Sequence, residues 1–199
     1  MARLKLASAS PRRADLLRQL GVAFDILPGA CLGIDERVRP GESAESQVTG
    51  LARAKARHGA ACPGLPADAV VLGADTVIVT EGELLGKPVD EAQFMHFMKR
   101  LGGRTHEVLT AVAVAGRDEL VECLVRTRVT MAPFSASRAT AYWRSGEPAD
   151  KAGGYAIQGH GALFVERVDG SCSAVIGLPL RETAELIGRF DIFPYWIES

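Results

Sequence analysis

Apolar and polar positions along the chain sort into strand-like and helix-like stretches that take turns from the amino terminus onward. Residues 4–7 read as a short strand, residues 11–20 as a helix with Leu16, Leu17 and Leu20 on one face, and residues 22–27 as a strand alternating around Phe24 and Ile26. Ser10 stands where it would cap that first helix, Pro11 suits its first position, and Gly21 ends it. Ser43 opens a second helix running to about Gly59, with Glu42 and Glu45 near its start and Arg53, Lys55 and Arg57 near its end, as the helix dipole favours. Gly50 in its interior costs ~1 kcal/mol relative to alanine, which points to close packing there.

The stretch from Val70 to Lys87 organises the rest. Residues 69–72 are an unbroken apolar, β-branched run of the kind buried on both faces of a sheet, and such a strand is expected to carry charge only at an end. Asp75 follows Gly73 where the run breaks. A bare carboxylate between apolar neighbours costs several kcal/mol to bury, so a cation must lie close by. The alternative is a turn aspartate that caps its own backbone. Lys87, between Gly86 and Pro88, sits on a stiff turn and is a candidate phosphate partner.

Downstream, Asp90 caps a helix containing Phe94, Met95, Phe97, Met98 and Leu101 that closes at Gly102-Gly103. Residues 105–115 and 120–131 are two long β-rich runs expected to form an antiparallel hairpin. Ser135 caps a helix through Trp143 to Ser145. Residues 162–168 and 171–176 read as a second hairpin, turned by Asp169-Gly170. A last helix spans residues 179–190, with Leu180, Ala184, Leu186 and Ile187 inward. Phe193, Tyr195 and Trp196 imply that the tail docks, on this chain or on a neighbour.

Composition narrows the class. The 199 residues are 47% hydrophobic and carry 23 basic against 24 acidic side chains, so bulk binding of nucleic-acid polymer or membrane is not expected and any anion site is local. No run approaches the ~18 apolar residues of a membrane span, and a signal peptide is not expected, since residues 1–10 hold no apolar core long enough for one. Cys31, Cys62, Cys123 and Cys172 are far apart with no C-x-x-C pair, which suggests neither a zinc site nor a disulfide framework and fits a reducing cytoplasm. His58 and His96 fall on helices as surface residues. His106 and His160 lie near candidate segments, but no H-x-x-x-H spacing supports a metal.

Three segments carry candidate chemistry. In Ala7-Ser8-Ala9-Ser10-Pro11-Arg12-Arg13, two hydroxyls and two guanidiniums gather at a strand-to-helix turn whose free amides favour an anion. Positive charge there opposes the helix dipole by ~0.3–1 kcal/mol per residue unless something negative binds, so a phosphate site is favoured over two arginines pointing to solvent. The polar connection 28–41 offers Asp35 and Glu36 as a second carboxylate that joins Asp75 around a divalent cation, with oxygen ligation suited to Mg²⁺ or Mn²⁺; a solvated charge run reads equally well. The glycine-rich segment 146–162 is suited to wrapping a flat ligand. Within it Gln158 has donor and acceptor atoms to read a base edge, and Glu147, Asp150 and Lys151 form a supporting charge network.

Taken together, Leu6-Ala7-Ser8-Ala9-Ser10-Pro11-Arg12-Arg13, Gly73-Ala74-Asp75-Thr76, Gly86-Lys87-Pro88, the run from Glu147 to Gly159, and Gly177-Leu178-Pro179-Leu180 resemble the Maf family of nucleotide pyrophosphatases over nearly the whole chain. The resemblance implies an α/β fold: a long twisted mixed sheet flanked by helices, with two lobes and a central cleft as in Maf and ITPase-like proteins. It also implies one Maf-like domain over residues 1–199, a homodimer, and metal-dependent hydrolysis of nucleoside triphosphates to monophosphate and pyrophosphate. Thr76 and Gln158 match the branch acting on dTTP and UTP. By motif, Asp75 becomes the proton acceptor; Ser8, Ser10, Arg12, Arg13, Lys55 and Lys87 contact the substrate; Glu36 is the second acid at the metal; and Arg12, Thr76 and Gln158 set specificity. Cys31-Leu32-Gly33 lengthens the preceding loop, which leaves the choice between Asp35 and Glu36 open. A nucleotidyltransferase and a non-catalytic regulator of cell division are the competing classes.

Overall fold

The computed structural model describes residues 3–34, 41–116 and 118–197. Among the described residues, seven strands form one mixed sheet flanked by helices, in the order β2-β1-β3-β5-β6-β7, with β4 paired to β3 off that path. The strands are β1 (Leu4–Leu6), β2 (Phe24–Ile26), β3 (Val70–Thr80), β4 (Glu83–Leu85), β5 (Thr105–Ala115), β6 (Leu120–Met131) and β7 (Val165–Asp169). The helices are α1 (Pro11–Leu20), α2 (Ala44–Ala60), α3 (Glu91–Leu101), α4 (Ala136–Arg144), α5 (Cys172–Ile176) and α6 (Leu180–Gly188). β1 runs parallel to both β2 and β3, with Leu6 opposite Ile26 on one side and Leu72 on the other. Parallel neighbours require a crossover, which α1 and α2 supply. β3–β4 and β6–β7 are antiparallel.

The chain divides into two compact units, the first comprising Met1–Asp75, Thr110–Val125 and Gly177–Ser199, the second Thr76–Leu109 and Arg126–Ile176. In the first unit Leu4, Leu6, Leu17, Val48 and Leu72 are fully buried. The expected tail docking occurs on this chain: the Tyr195 N–H donates to the Gly21 carbonyl at 2.9 Å and the Trp196 indole N–H to that of Leu20 at 2.9 Å, capping the end of α1. In the second unit Phe94, Phe97, Met98, Leu101, Val129 and Met131 form the core against Tyr142 and Phe164. Asp90 and Ser135 cap α3 and α4 with their side chains, as the sequence predicts. Among the described residues no helix is long and apolar enough to cross a membrane.

Five expectations are corrected. β3 does not end at Gly73 but runs uninterrupted to Thr80, which puts Asp75 inside a strand and not at its end or in a turn. Gly50 has nothing within 4 Å of where a Cβ would stand, so no close packing explains it. Ser10 occupies the cap position of α1, yet its side chain makes no capping bond. Residues 171–176 are not a strand: the Ser171 hydroxyl accepts from the Ala174 N–H at 3.2 Å and opens α5, while residues 160–164 coil as a 3-10 turn before β7. Finally, Cys31 and Cys62 are joined by a disulfide, with Cα atoms 5.6 Å apart, inside an apolar cluster with Ala7, Leu27 and Val71.

Candidate functional site

The first unit brings the amino-terminal turn and Asp75 to the same end of a strand pair. β1 and β3 are parallel, and the Ala7 N–H extends their ladder by donating to the Leu72 carbonyl at 2.8 Å. Both chains continue past that point in the same direction, one into Ser8-Ala9-Ser10 and α1, the other through Gly73 and Ala74 to Asp75. The carboxyl end of parallel strands is where α/β folds present ligand-binding groups.

Ser8 is buried, and its hydroxyl accepts from the Ser10 N–H at 3.2 Å and from Arg13 Nη1 at 3.1 Å. Arg13 Nε donates in turn to the Gly177 carbonyl at 2.9 Å. A guanidinium fastened at two points is pre-organised, which lowers the conformational entropy lost when it binds an anion. α1 has no acidic residue in its first turn and no side-chain cap, so its amide dipoles and the arginines Arg12 and Arg13 offer positive potential at one helix end.

The cation that a buried Asp75 demands is Lys55, whose Nζ donates to Asp75 Oδ1 at 2.7 Å with both side chains largely buried. Gly73 explains how it arrives. A Cβ on Gly73 would lie 2.5 Å from the Ala52 carbonyl oxygen and the Ala56 nitrogen and 2.9 Å from Lys55 Cβ, so α2 presses its backbone directly onto β3. Gly73 and Asp75 are two residues apart on one strand and therefore share a face, the face α2 covers. Lys55 is thereby delivered to the carboxylate.

The second unit holds the other candidates. Thr76 follows Asp75 on β3 and is half-buried, its side chain on the opposite face of the strand. Lys87 is exposed after the β3–β4 hairpin, between a buried Pro88 and Gly86, whose carbonyl accepts from the Gly153 N–H at 2.9 Å. Gln158 is exposed in the glycine-rich segment. Glu147 accepts from the Tyr142 hydroxyl of α4 at 2.6 Å and, within the segment, from the His160 N–H at 2.9 Å and the Gly161 N–H at 3.0 Å. Lys151 Nζ donates to the Glu147 backbone carbonyl at 3.0 Å and pairs with Asp150, so the expected charge network is a Lys151–Asp150 pair, the Glu147 carboxylate bonding to a phenol and two amides instead. Burial raises the Glu147 pKa, but these bonds outweigh it and hold the carboxyl below its ordinary range. His106 is buried with Nε2 2.7 Å from the Tyr155 hydroxyl. Burial pulls its pKa down to about 4.

Glu36 and Asp35 lie outside the described residues. Among the described residues no group of three or more His, Cys, Asp or Glu is poised for a metal. Two features escaped the sequence: the Gly177 carbonyl as an anchor for Arg13, and Tyr142 as a partner of Glu147. The first is signalled only by Gly177-Leu178-Pro179-Leu180 as a motif, the second by nothing local.

The strand-to-helix turn with its arginines, and the carboxylate–lysine pair on the neighbouring parallel strand of a mixed sheet, are features of the kind with which α/β proteins meet anionic ligands. The family model described as Maf, Maf-like protein, matches residues 3–190, and the chain belongs to the Maf family. It is 50% identical to a dTTP/UTP pyrophosphatase of Salmonella typhimurium over 96% of this chain and 94% of that one. It is also 50% identical to one of Pseudoalteromonas translucida over 93% and 95%, and 47% identical to one of Escherichia coli O157:H7 over 96% and 94%. Among solved structures, the Staphylococcus aureus Ham1 protein matches at a TM-score of 0.44 and 17% identity, over 65% of this chain and 71% of that one.

Proposed function

We propose that this chain hydrolyses nucleoside triphosphates between the α and β phosphates, preferring dTTP and UTP, and so clears such nucleotides or their modified forms from the pool. The observation that carries the reading is the pairing of Ser8, just past β1, with Arg13 of α1, and of Asp75, on the parallel neighbour β3, with Lys55 of α2. Relatives named for that activity support it.

In this reading the triphosphate lies against the amino terminus of α1, held by Ser8, Ser10, Arg12 and Arg13, with Lys55 and Lys87 as further cationic contacts. Asp75 accepts the proton of the attacking water while the bond to the bridging oxygen breaks and pyrophosphate leaves, a role worth about 10²–10⁴ in rate. Lys55 orients that carboxylate. Asp75, with Glu36 as second acid, would hold Mg²⁺ or Mn²⁺; one or two carboxylates beside phosphate oxygens suit Mg²⁺, whereas a dedicated protein cage is not needed. When bound, the cation neutralises phosphate charge. Arg12, Thr76 and Gln158 set specificity, and the Gln158 amide, donor and acceptor at once, suits the N3–H and carbonyl that thymine and uracil share.

Such an enzyme works where the nucleotide pool is, in the cytoplasm, as one domain over residues 1–199 and as a homodimer. Exposed Phe193, Tyr195, Trp196 and Ile197 supply apolar surface for an interface. The test is purified protein with Mg²⁺ or Mn²⁺ and a panel of triphosphates, with products separated by chromatography. Monophosphate and pyrophosphate from dTTP and UTP are expected. Product only with an added acceptor would make the chain a nucleotidyltransferase, and tight binding without product a regulator.

A further inference from the structure

Gln158 is exposed in a glycine-rich segment, where a side chain that reads a base edge would lose its selectivity if its backbone wandered. The backbone on both sides of it is tied to one point. Before it, the Ala156 N–H donates to the Tyr142 hydroxyl at 3.1 Å. After it, the His160 and Gly161 N–H groups donate to the two oxygens of Glu147 at 2.9 and 3.0 Å. The two anchors are themselves joined, because the Tyr142 hydroxyl donates to Glu147 Oε1 at 2.6 Å. A fifth bond, from the Gly159 N–H to the Ala156 carbonyl at 3.3 Å, closes the turn that carries Gln158.

The clamp is built on rigid ground. Tyr142 belongs to α4, and its ring packs on Phe94 and Phe164 with centroids 6.0 and 5.2 Å away. Burial, and then the carboxylate beside it, push the Tyr142 pKa up, so the phenol stays a donor. The glycines let the carboxylate in: a Cβ on Gly159 would stand 2.2 Å from Glu147 Oε2, and one on Gly161 would stand 2.6 Å from the Tyr142 hydroxyl. A carboxylate taking three charge-assisted or short bonds within one loop costs desolvation that a merely solvated glutamate would avoid.

We propose that Tyr142 and Glu147 are positioning residues for Gln158, fixing the loop so that the enzyme discriminates pyrimidine from purine triphosphates; this rests on the reading of Gln158 given above. The Tyr142 hydroxyl and both Glu147 carboxylate oxygens are engaged by these bonds, so in this reading the two act through Gln158 and not on substrate. The Tyr142→Phe variant keeps the ring and its packing and removes only the hydroxyl.

The experiment compares wild type, Tyr142→Phe, Gln158→Ala and the double variant. It measures kcat/KM for dTTP and UTP against dGTP and dATP, together with amide exchange at Ala156, His160 and Gly161. The inference expects faster exchange at those amides in Tyr142→Phe and a fall of roughly three- to tenfold in the pyrimidine-to-purine ratio. It also expects the double variant to match Gln158→Ala alone, since a residue that acts through Gln158 has nothing left to position once that side chain is gone. A Tyr142→Phe protein that slows all four triphosphates equally, or whose effect adds to that of Gln158→Ala, shows a structural role only and overturns the clamp. An unchanged ratio in Gln158→Ala overturns the assignment of Gln158 and the inference with it, and wild type without turnover overturns the function proposed above. Should Tyr142→Phe not fold, Glu147→Gln makes the same test, because its amide nitrogen cannot accept from a backbone N–H.

Discussion

Replacing Gly73 by alanine tests how α2 brings Lys55 to Asp75. The added methyl would stand 2.5 Å from two backbone atoms of α2, the Ala52 oxygen and the Ala56 nitrogen, and neither can rotate away as a side chain would. Non-bonded heavy atoms settle at about 3.5–4.0 Å, so helix and strand must part by roughly 1 Å. Overpacking of that kind costs about 1–3 kcal/mol. For a chain of 199 residues this lowers the melting temperature by roughly 2–12 °C. The same movement lengthens the 2.7 Å Lys55–Asp75 bond, and a misplacement of about 1 Å at a reacting group can lower kcat/KM on the order of 10²-fold. Gly50→Ala, in the same helix but with open space around it, has the opposite sign and stabilises by about 0.5–1 kcal/mol. Thermal melts and steady-state kinetics of the two variants decide the matter. A Gly73→Ala protein with wild-type melting and turnover would refute the close contact of α2 and β3, as would equal destabilisation by both.

Two further perturbations follow from buried groups. His106 is neutral when folded, its pKa drawn down from 6.5 to about 4, whereas the unfolded chain takes up a proton near 6.5. Its contribution is thus intact above pH 6.5 and is lost as pH falls towards 4, by about 3 kcal/mol in all. Urea midpoints at pH 7 and 4.5 should differ less in His106→Gln than in wild type, and equal differences would contradict this. The Cys31–Cys62 bridge closes a loop over a sequence separation of 31, and the chain-entropy model gives such a loop about 3–4 kcal/mol. Reductant should therefore lower the melting temperature; in a reducing compartment the pair is a dithiol, and unchanged melting would show that the bridge adds nothing.

What was legible in the sequence followed local rules. The first helix, the capped helices after Asp90 and Ser135, and the β5–β6 pair all announce themselves by period, cap or turn residues, and the structure has them. The stretch after Gly170 misled because Val175 and Ile176 are β-branched, and a helix of five residues is too short to show its period; the serine that opens it was the better signal. Long-range facts were out of reach. Cys31 and Cys62 carry no spacing motif, and only the fold brings their Cα atoms to 5.6 Å. Burial of Asp75 required a cation, but nothing local named Lys55, twenty residues earlier. Tyr142 reads as one more apolar residue of α4 until its hydroxyl is seen on Glu147.

The claim on which the rest depends is that Asp75 takes the proton of water as pyrophosphate departs. Asp75→Asn keeps the shape of the side chain and removes its basicity. Pyrophosphate release from dTTP with Mg²⁺, measured for wild type and for a variant of matching circular dichroism and oligomeric state, should fall by about 10²–10⁴. Release by the folded variant at near the wild-type rate would contradict the account.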